Sequence, residues 1–271
     1  MRGISAASLK AVAREFEPVL VAAGTQGTIL GAQLFAVVDA LDSSTSLRGA
    51  LSDPARTGDA KAGLVVGLLS GKMDDRVVGV LSSFARARWA SENDLPEAVE
   101  QVAADAVLAA AQSTGTLELV EDEIFRFGRL LVGQRDLRRA LTDRGAPAES
   151  RAALVHRLLA GKVRPITLQL VERAAFAPRG RTMASMLGLL GRLAARRREL
   201  LIALITAASA FSPEQVDRLT ALLERTYGRP VQLNVLIDPE VVGGLRMEVG
   251  SEVVDATLLA RLDEARRRMA G

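Results

Sequence analysis

At 271 residues the chain is long for a single core, and the usual span of about 100–200 residues per domain suggests two. Nearly half of it is apolar, mostly Ala, Leu and Val with one Trp, one Tyr and seven Phe, a palette suited to closely packed helices. The absence of Cys excludes disulfides, thiolate metal sites and cysteine nucleophiles, and is compatible with a reducing compartment. The net charge of +3 with a pI near 9.8 reflects an excess of Arg over Lys, dispersed without the aromatic interleaving of RNA-binding surfaces.

The N-terminal Met1-Arg2-Gly3-Ile4-Ser5 lacks the apolar core of a signal peptide, so export is not expected. Leu9, Val12, Phe16 and Leu20 mark the apolar face of a first helix. The chain then enters a stretch that recurs 90 residues later. Ser46 to Lys72 aligns without a gap on Asp136 to Lys162, with 12 of 27 positions identical, including Asp53/Asp143 and Gly71-Lys72/Gly161-Lys162. We read this as an internal duplication. In each copy a helix ends near Leu51 or Leu141, and a polar turn at Asp53-Pro54 or Asp143 to Pro147 redirects the chain. A second helix follows, whose Leu64, Val65, Leu68 and Leu69, repeated as Leu154, Val155, Leu158 and Leu159, are expected to form one buried face. Gly71 and Gly161 suit the left-handed position that closes a helix.

Val77, Val80, Leu81 and Phe84 predict the next helix, and Asp94-Leu95-Pro96-Glu97 reads as an N-cap, a first-turn proline and Glu three residues on, opening a long helix through Ala111. The acidic stretch Glu118, Glu121, Asp122 and Glu123 and the arginines 126, 129, 135 and 138 read as solvated faces and helix ends. His156, the only histidine, lies beside the apolar face in Leu154-Val155-His156-Arg157-Leu158. That is the setting of a surface histidine rather than of a triad, and multi-histidine metal sites are excluded. Pro178-Arg179-Gly180-Arg181 could meet an anion but reads better as a basic interhelical turn. No catalytic residue, cofactor site or metal site is therefore expected.

After the charged cluster Arg196-Arg197-Arg198-Glu199 the pattern changes. The longest apolar run, Leu200 to Phe211, has 12 residues, short of the roughly 20 that cross a bilayer, and its first part predicts a strand. Ser212-Pro213-Glu214-Gln215 opens a helix with Val216, Leu219, Leu222, Leu223 and Tyr227 on its face. Pro230 to Asp238 alternates as a strand, and Gly243 to Asp255 reads as two strands around a Gly250-Ser251 turn. A last helix would carry Leu258, Leu262, Ala265 and Met269 on one face, with Arg261, Arg266, Arg267 and Arg268 around the rest. The Gly243-Gly244 pair lacks the context of a phosphate loop and points instead to a backbone that needs positive φ. The fold class is thus mainly α, a helical bundle region containing the duplication followed by a small C-terminal α/β domain. The expected divisions are 1–115 with the first copy, 116–195 with the second, and 196–271.

The stretch from Asp238 to Leu262 resembles the C-terminal signature of the δ subunit of F-type ATP synthases, the oligomycin-sensitivity-conferring protein family. The features that carry it are Gly243-Gly244, Val249-Gly250, Val253-Val254-Asp255, Thr257 and Arg261-Leu262. Tyr227-Gly228-Arg229-Pro230-Val231 and Glu199-Leu200 with Ile202 are similar to the preceding strand and helix. Glu121 to Arg129 and Arg86-Ala87-Arg88-Trp89 resemble the longer actinobacterial form, whose extra helical sequence the duplication would supply. Asp255-Ala256-Thr257 and Gly250-Ser251 depart from the more frequent Asp-Gly-Ser and Gly-Asp, as acceptable turn substitutions. Some actinobacterial relatives fuse this region behind a membrane-spanning stalk segment; the expectation here is a separate subunit or a shortened form.

The resemblance implies a non-catalytic stator subunit on the cytoplasmic face of the cell membrane. Its helical domain would grip the N-terminal helix of an α subunit, and its C-terminal unit would hold b-type peripheral-stalk subunits. Gly243, Gly244, Gly250, Asp255, Arg261 and Leu262 would be the signature residues, and Leu258, Leu262, Ala265 and Met269 the candidate partner contacts. The competing reading from composition alone is a basic helical nucleic-acid-binding or regulatory scaffold, recognisable by steep salt dependence.

Overall fold

The computed structural model describes residues 3–143, 145–199, 201–228, 230–238, 241, 244–249 and 252–255, with the backbone alone described at 201, 202, 232, 234 and 252–255. It divides into two compact units, 1–198 and 199–271, three residues beyond the expected 195/196 division.

The first unit is entirely helical among the described residues. It comprises α1 (Ile4–Ala23), a single 3-10 turn (Gly24–Gln26), α2 (Gly27–Ser43), α3 (Thr45–Ser52), α4 (Gly58–Leu69) and α5 (Asp75–Arg86). It continues with α6 (Asp94–Ser113), α7 (Leu117–Val132), α8 (Arg135–Thr142), α9 (Ala148–Leu159), α10 (Pro165–Phe176) and α11 (Met183–Glu199), whose last residue begins the second unit. The 90-residue period governs far more than the 27 aligned positions. Ile4–Ala23 maps onto Asp94–Ser113, and α3, α4 and α5 map onto α8, α9 and α10 end for end. Neighbour pairs recur as well: α1 with α5, α2 with α5 and α4 with α5 become α6 with α10, α7 with α10 and α9 with α10. The helix α11 starts where the first helix of a third copy would begin, so α1, α6 and α11 are equivalent members of one series.

The shared turns have physical causes in both copies. Asp53 Oδ1 accepts the Ala55 N–H and Asp143 Oδ1 the Gly145 N–H, both at 90-residue spacing. Gly71 and Gly161 close α4 and α9 at the same φ of 73°, a left-handed conformation that favours glycine. The Asp74 N–H donates to Gln33 Oε1, and at the equivalent place Arg164 N–H donates to the Glu123 carboxylate, which Thr167 Oγ1 also reaches. Glu123 therefore joins two helices rather than facing solvent as expected. A buried cation recurs too. Lys61 Nζ donates to the Ala87 carbonyl, while Arg151 Nε and Nη2 donate to the Ala175 and Phe176 carbonyls, satisfying groups that the ends of α5 and α10 leave open.

Some expected features differ. On α4 only Val65 of the four expected residues is fully buried, and Leu64 and Leu68 are exposed, because the inward stripe passes through Lys61, Ala62 and Val65. Val155 is likewise the buried member on α9. The N-cap of α6 is Asn93 instead of Asp94, whose carboxylate is taken by Ser5 Oγ at 2.6 Å. Residues 4–43, not the 200–211 run, carry the length and apolar character nearest to a membrane span. Their chain is broken by the 3-10 turn, and Phe16, Leu20, Leu30, Leu34 and Val38 are spent in the helical core.

The helix α2 lies close on α6. A Cβ on Gly27 would collide with the Ala106 carbonyl, and one on Gly31 would collide with Val107 and stand 2.8 Å from the Ala103 carbonyl. Leu117 and Glu121 replace these glycines in α7, and α7 and α11 stand farther apart.

Arg197 of α11 joins the series of equivalent helices from inside. It is 3% exposed, donates through Nη1 and Nη2 to both oxygens of Glu17 on α1 at 2.9 and 2.6 Å, and reaches Asp105 of α6 through Nε at 3.0 Å and Nη2 at 3.1 Å. Gln112 Oε1 takes a further bond at 2.9 Å. Glu17 and Arg197 occupy the same position of the repeat, two periods apart. Within the charged cluster from Arg196 to Glu199, Arg197 is thus held inside the unit while its neighbours Arg196 and Arg198 are exposed. Burial pushes the Glu17 carboxyl above its ordinary range, against the pull of Arg197.

The second unit is a four-stranded mixed sheet in the order β2-β1-β3-β4. β1 (Leu201–Ala207) runs parallel to β2 (Val231–Ile237), with α12 (Pro213–Tyr227) between them in sequence, and antiparallel to β3 (Leu245–Val249), which pairs with β4 (Glu252–Asp255). Ser212 and Gln215 form a reciprocal capping box at the start of α12 and Gly228 ends it at φ 66°, as the sequence predicts. Ala203, Ile205, Val231, Leu233, Val249 and Leu223 form the core, with Val216, Leu219 and Tyr227 packed at its edge. Leu222, expected on the inner face, is exposed.

Replacing Arg197 by Met leaves Glu17 and Asp105 buried without their cation. A loss of about 3–5 kcal/mol in urea unfolding of the helical unit is expected, and adding Glu17→Leu should return part of it. If the second change only adds to the loss, the ion cluster is not what sets the stability of this site.

Candidate partner-binding surfaces

Of the signature residues, Gly244 has φ 81°, in keeping with a backbone that needs glycine, and Asp255 ends β4 opposite Arg246. Gly243, Gly250, Arg261 and the candidate contacts Leu258, Leu262, Ala265 and Met269 lie outside the described residues. His156 is exposed on α9, and its Nδ1 stands 2.7 Å from Glu172 Oε1 of α10, a surface pairing.

A charged seam, which sequence reading did not find, joins the two copies within the helical unit. Arg173 of α10 lies over the ring of Phe35 on α2, 4.8 Å from its centroid, and donates to Asp39 Oδ2 at 2.8 Å. Gln169 Nε2 donates to the Thr28 carbonyl at 3.2 Å. Arg179, in the turn after α10, meets Asp42 at 3.2 Å, and Arg181 meets Glu97 at 2.6 Å and Glu100 at 3.1 Å on α6. The 178–181 segment is the basic interhelical turn that the sequence suggests, with its arginines turned onto protein carboxylates. Burial pushes the Glu100 carboxyl upward, against Arg179 and Arg181. Arg151, Arg173, Arg181 and Arg197 are all engaged inside the fold in this way. The high pI therefore does not translate into a free basic face at these positions.

The same positions one period later are open. Phe35 is 7% exposed, whereas its equivalent Phe125 on α7 is 64% exposed; Asp39 becomes Arg129, and Asp42 becomes Val132, 68% exposed. Between α7 and α11 lies a groove of about 680 Å³, floored by Gly128, Leu187, Gly188 and Gly191. At one end Glu121 meets Arg198 at 3.6 Å, and Asp122 meets Arg126 at 2.9 Å. A smaller groove of about 450 Å³ runs between α1 and α5, past Phe16, Val19, Gly79 and Ser83. Neither gathers groups suited to catalysis among the described residues. The only sequence hint of the larger groove was α7 itself, whose Phe125 and Val132 fall outside the stripe through Val120, Ile124, Phe127 and Leu131.

The equivalent phenylalanines give a direct comparison. Phe35→Ser is expected to cost about 3 kcal/mol in urea unfolding, and Phe125→Ser no more than about 0.5 kcal/mol. Glu100 supplies a pH test. Because its folded pKa lies above the ordinary 4.5, its contribution to stability is complete below that value and declines as pH rises through the folded pKa. Glu100→Gln should flatten the fall in unfolding midpoint above pH 4.5, and an unchanged profile would count against this assignment.

Comparison with known proteins accounts for the whole chain. The family described as ATP synthase delta (OSCP) subunit matches residues 99–269. ATP synthase subunit delta of Beutenbergia cavernae is 55% identical over 271 residues, all of both chains, and that of Thermobifida fusca is 46% identical over the same extent. That of Kineococcus radiotolerans is 44% identical over 269 residues, 99% of this chain and 98% of its own. The relatives of full length carry the duplicated helical region within their compass, and the family match takes in most of α6 with everything beyond it through residue 269; the chain belongs to the ATP synthase delta (OSCP) subunit family.

Proposed function

We infer that this chain works as a non-catalytic stator subunit of an F-type ATP synthase, joining the catalytic head to the peripheral stalk and resisting rotational torque. The observation that carries the reading is full-length similarity at 55% identity to an ATP synthase subunit delta. The helical unit would take the N-terminal helix of an α subunit, and the C-terminal unit the b-type stalk subunits. Catalysis and nucleotide binding would rest with other subunits, and the chain would sit peripherally at the cytoplasmic face of the cell membrane. The helical division into 1–115 and 116–195, with 196–271 as the stalk-binding part, remains our proposal for how partner contacts are distributed. Helix-in-groove binding suits such a joint, since an amphipathic helix buries an apolar stripe without any chemistry. A nucleic-acid-binding scaffold finds no support in the family, and the internal pairing of the buried arginines argues against it.

The test is binding of the purified full chain to an α N-terminal peptide and to a b-type stalk fragment, each separately. Both should bind. Deleting 257–271 should weaken stalk binding at least tenfold while leaving the α-peptide affinity and the unfolding of the helical unit unchanged. Failure with both partners would sink the stator reading; full stalk affinity after the deletion would move the stalk contact elsewhere.

A further inference from the structure

The repeat has an unfilled end, and its chemistry says what fills it. Within the chain, the surface of α2 receives α10 of the following copy: Phe35 lies beneath Arg173, Asp39 pairs with it, and the Thr28 carbonyl takes Gln169. Moving each contact forward by 90 residues leads to α7, where Phe125, Arg129 and Glu118 stand in these places. The chain supplies α11 as the first helix of a third copy, and among the described residues nothing in the helical unit supplies the fifth. The groove between α7 and α11 is the seat of that missing helix, with Phe125 exposed where Phe35 is covered.

The substitutions also select a charge. In the filled seat the carboxylate of Asp39 calls for an arginine. In the open seat the charge is reversed, because Arg129 replaces Asp39, and Arg192 of α11 adds a second cation on the groove wall. Arg198, Glu121, Asp122 and Arg126 neutralise each other in two pairs, and of the remaining charges on the lining, Glu118 at the start of α7 and Arg129 and Arg192 are all unpaired among the described residues, which leaves the cations in excess by one. Separation of α7 from α11 follows from the loss of the two glycines that bring α2 onto α6, so the groove is built into the sequence.

We propose that the α7–α11 groove docks an amphipathic helix of another subunit, with apolar residues at i, i+3 or i+4 and i+7 against Phe125, Val132 and Leu187. Its flanking carboxylate faces Arg129 and Arg192. The helix takes the place that α10 holds one repeat earlier, with its central charge inverted. The inference rests on the adaptor reading for the existence of a partner, and on the repeat for the seat and its charge.

The experiment places the photoreactive amino acid p-benzoylphenylalanine at Phe125 of the full chain, and in a second preparation at Leu130, an exposed position of α7 outside the groove lining. The ATP synthase complex is isolated and irradiated, and the adducts are sequenced. The expected result is an adduct at 125, absent at 130, on a segment of another subunit with that apolar spacing and flanking carboxylates. Arg129→Glu should lower its yield about tenfold, as loss of one favourable charge pairing predicts. An adduct on a basic segment, on residues 199–271 of this chain or on a second copy overturns the proposal, as does the absence of any adduct in a complex that contains the chain. If the chain does not co-isolate with the complex at all, the adaptor reading falls, and this inference falls with it.

Discussion

The helical unit depends on one buried guanidinium. Arg197 holds Glu17 from the start of the chain and Asp105 from its middle, on three helices that occupy the same place in successive repeats. A charge taken out of water is tolerated only when its partners surround it, and here both carboxylates and an amide do so. Because partners and cation come from sequence positions up to 180 residues apart, the cluster can form only when both copies have folded and docked. It thereby selects one registration of the helices in a core made mostly of Ala, Leu and Val, whose packing alone discriminates weakly between neighbouring registers.

The duplication supplies the frame in which the differences between copies become interpretable. Positions that keep their chemistry, such as Gly71 and Gly161 or Lys61 and Arg151, serve the folding of each copy by itself. Positions that change do so where the copies have different neighbours. Gly27 and Gly31 let α2 lie on α6; their counterparts Leu117 and Glu121 have no such requirement to meet. Phe35 and Phe125 are identical in kind and opposite in setting, which shows that exposure here comes from the end of the array and not from the residue.

Much of the architecture was legible in the sequence. Apolar periodicity located α1 and α5, the Asp94-Leu95-Pro96-Glu97 start signal located α6, the Ser-Pro-Glu-Gln run located α12, and alternation located β2. The period of 90 was visible only over 46–72 because there both copies face the same local neighbours, whereas α1, α2, α6 and α7 have diverged with their different contacts. The buried ions were not legible. Arg197 lies in a run of three arginines and Glu17 in a helix with a convincing apolar stripe, and nothing local marks either as interior. Only the spacing of two full periods between them, once the repeat is extended, connects the pair. The groove escaped notice for a related reason. An exposed phenylalanine on an amphipathic helix has meaning only when its counterpart is known to be covered.

The helix α6 belongs to both copies at once, closing the first as its sixth helix and opening the second as its first. Two bundles joined by a linker would bend at the linker, but bundles that own a helix in common have no such compliant point. A twisting force applied to α1–α5 is transmitted to α7–α11 through the side walls of a 20-residue rod, about 30 Å long at 1.5 Å per residue, rather than through a strand of chain. Lengthening a protein by this kind of overlap adds reach without adding a hinge.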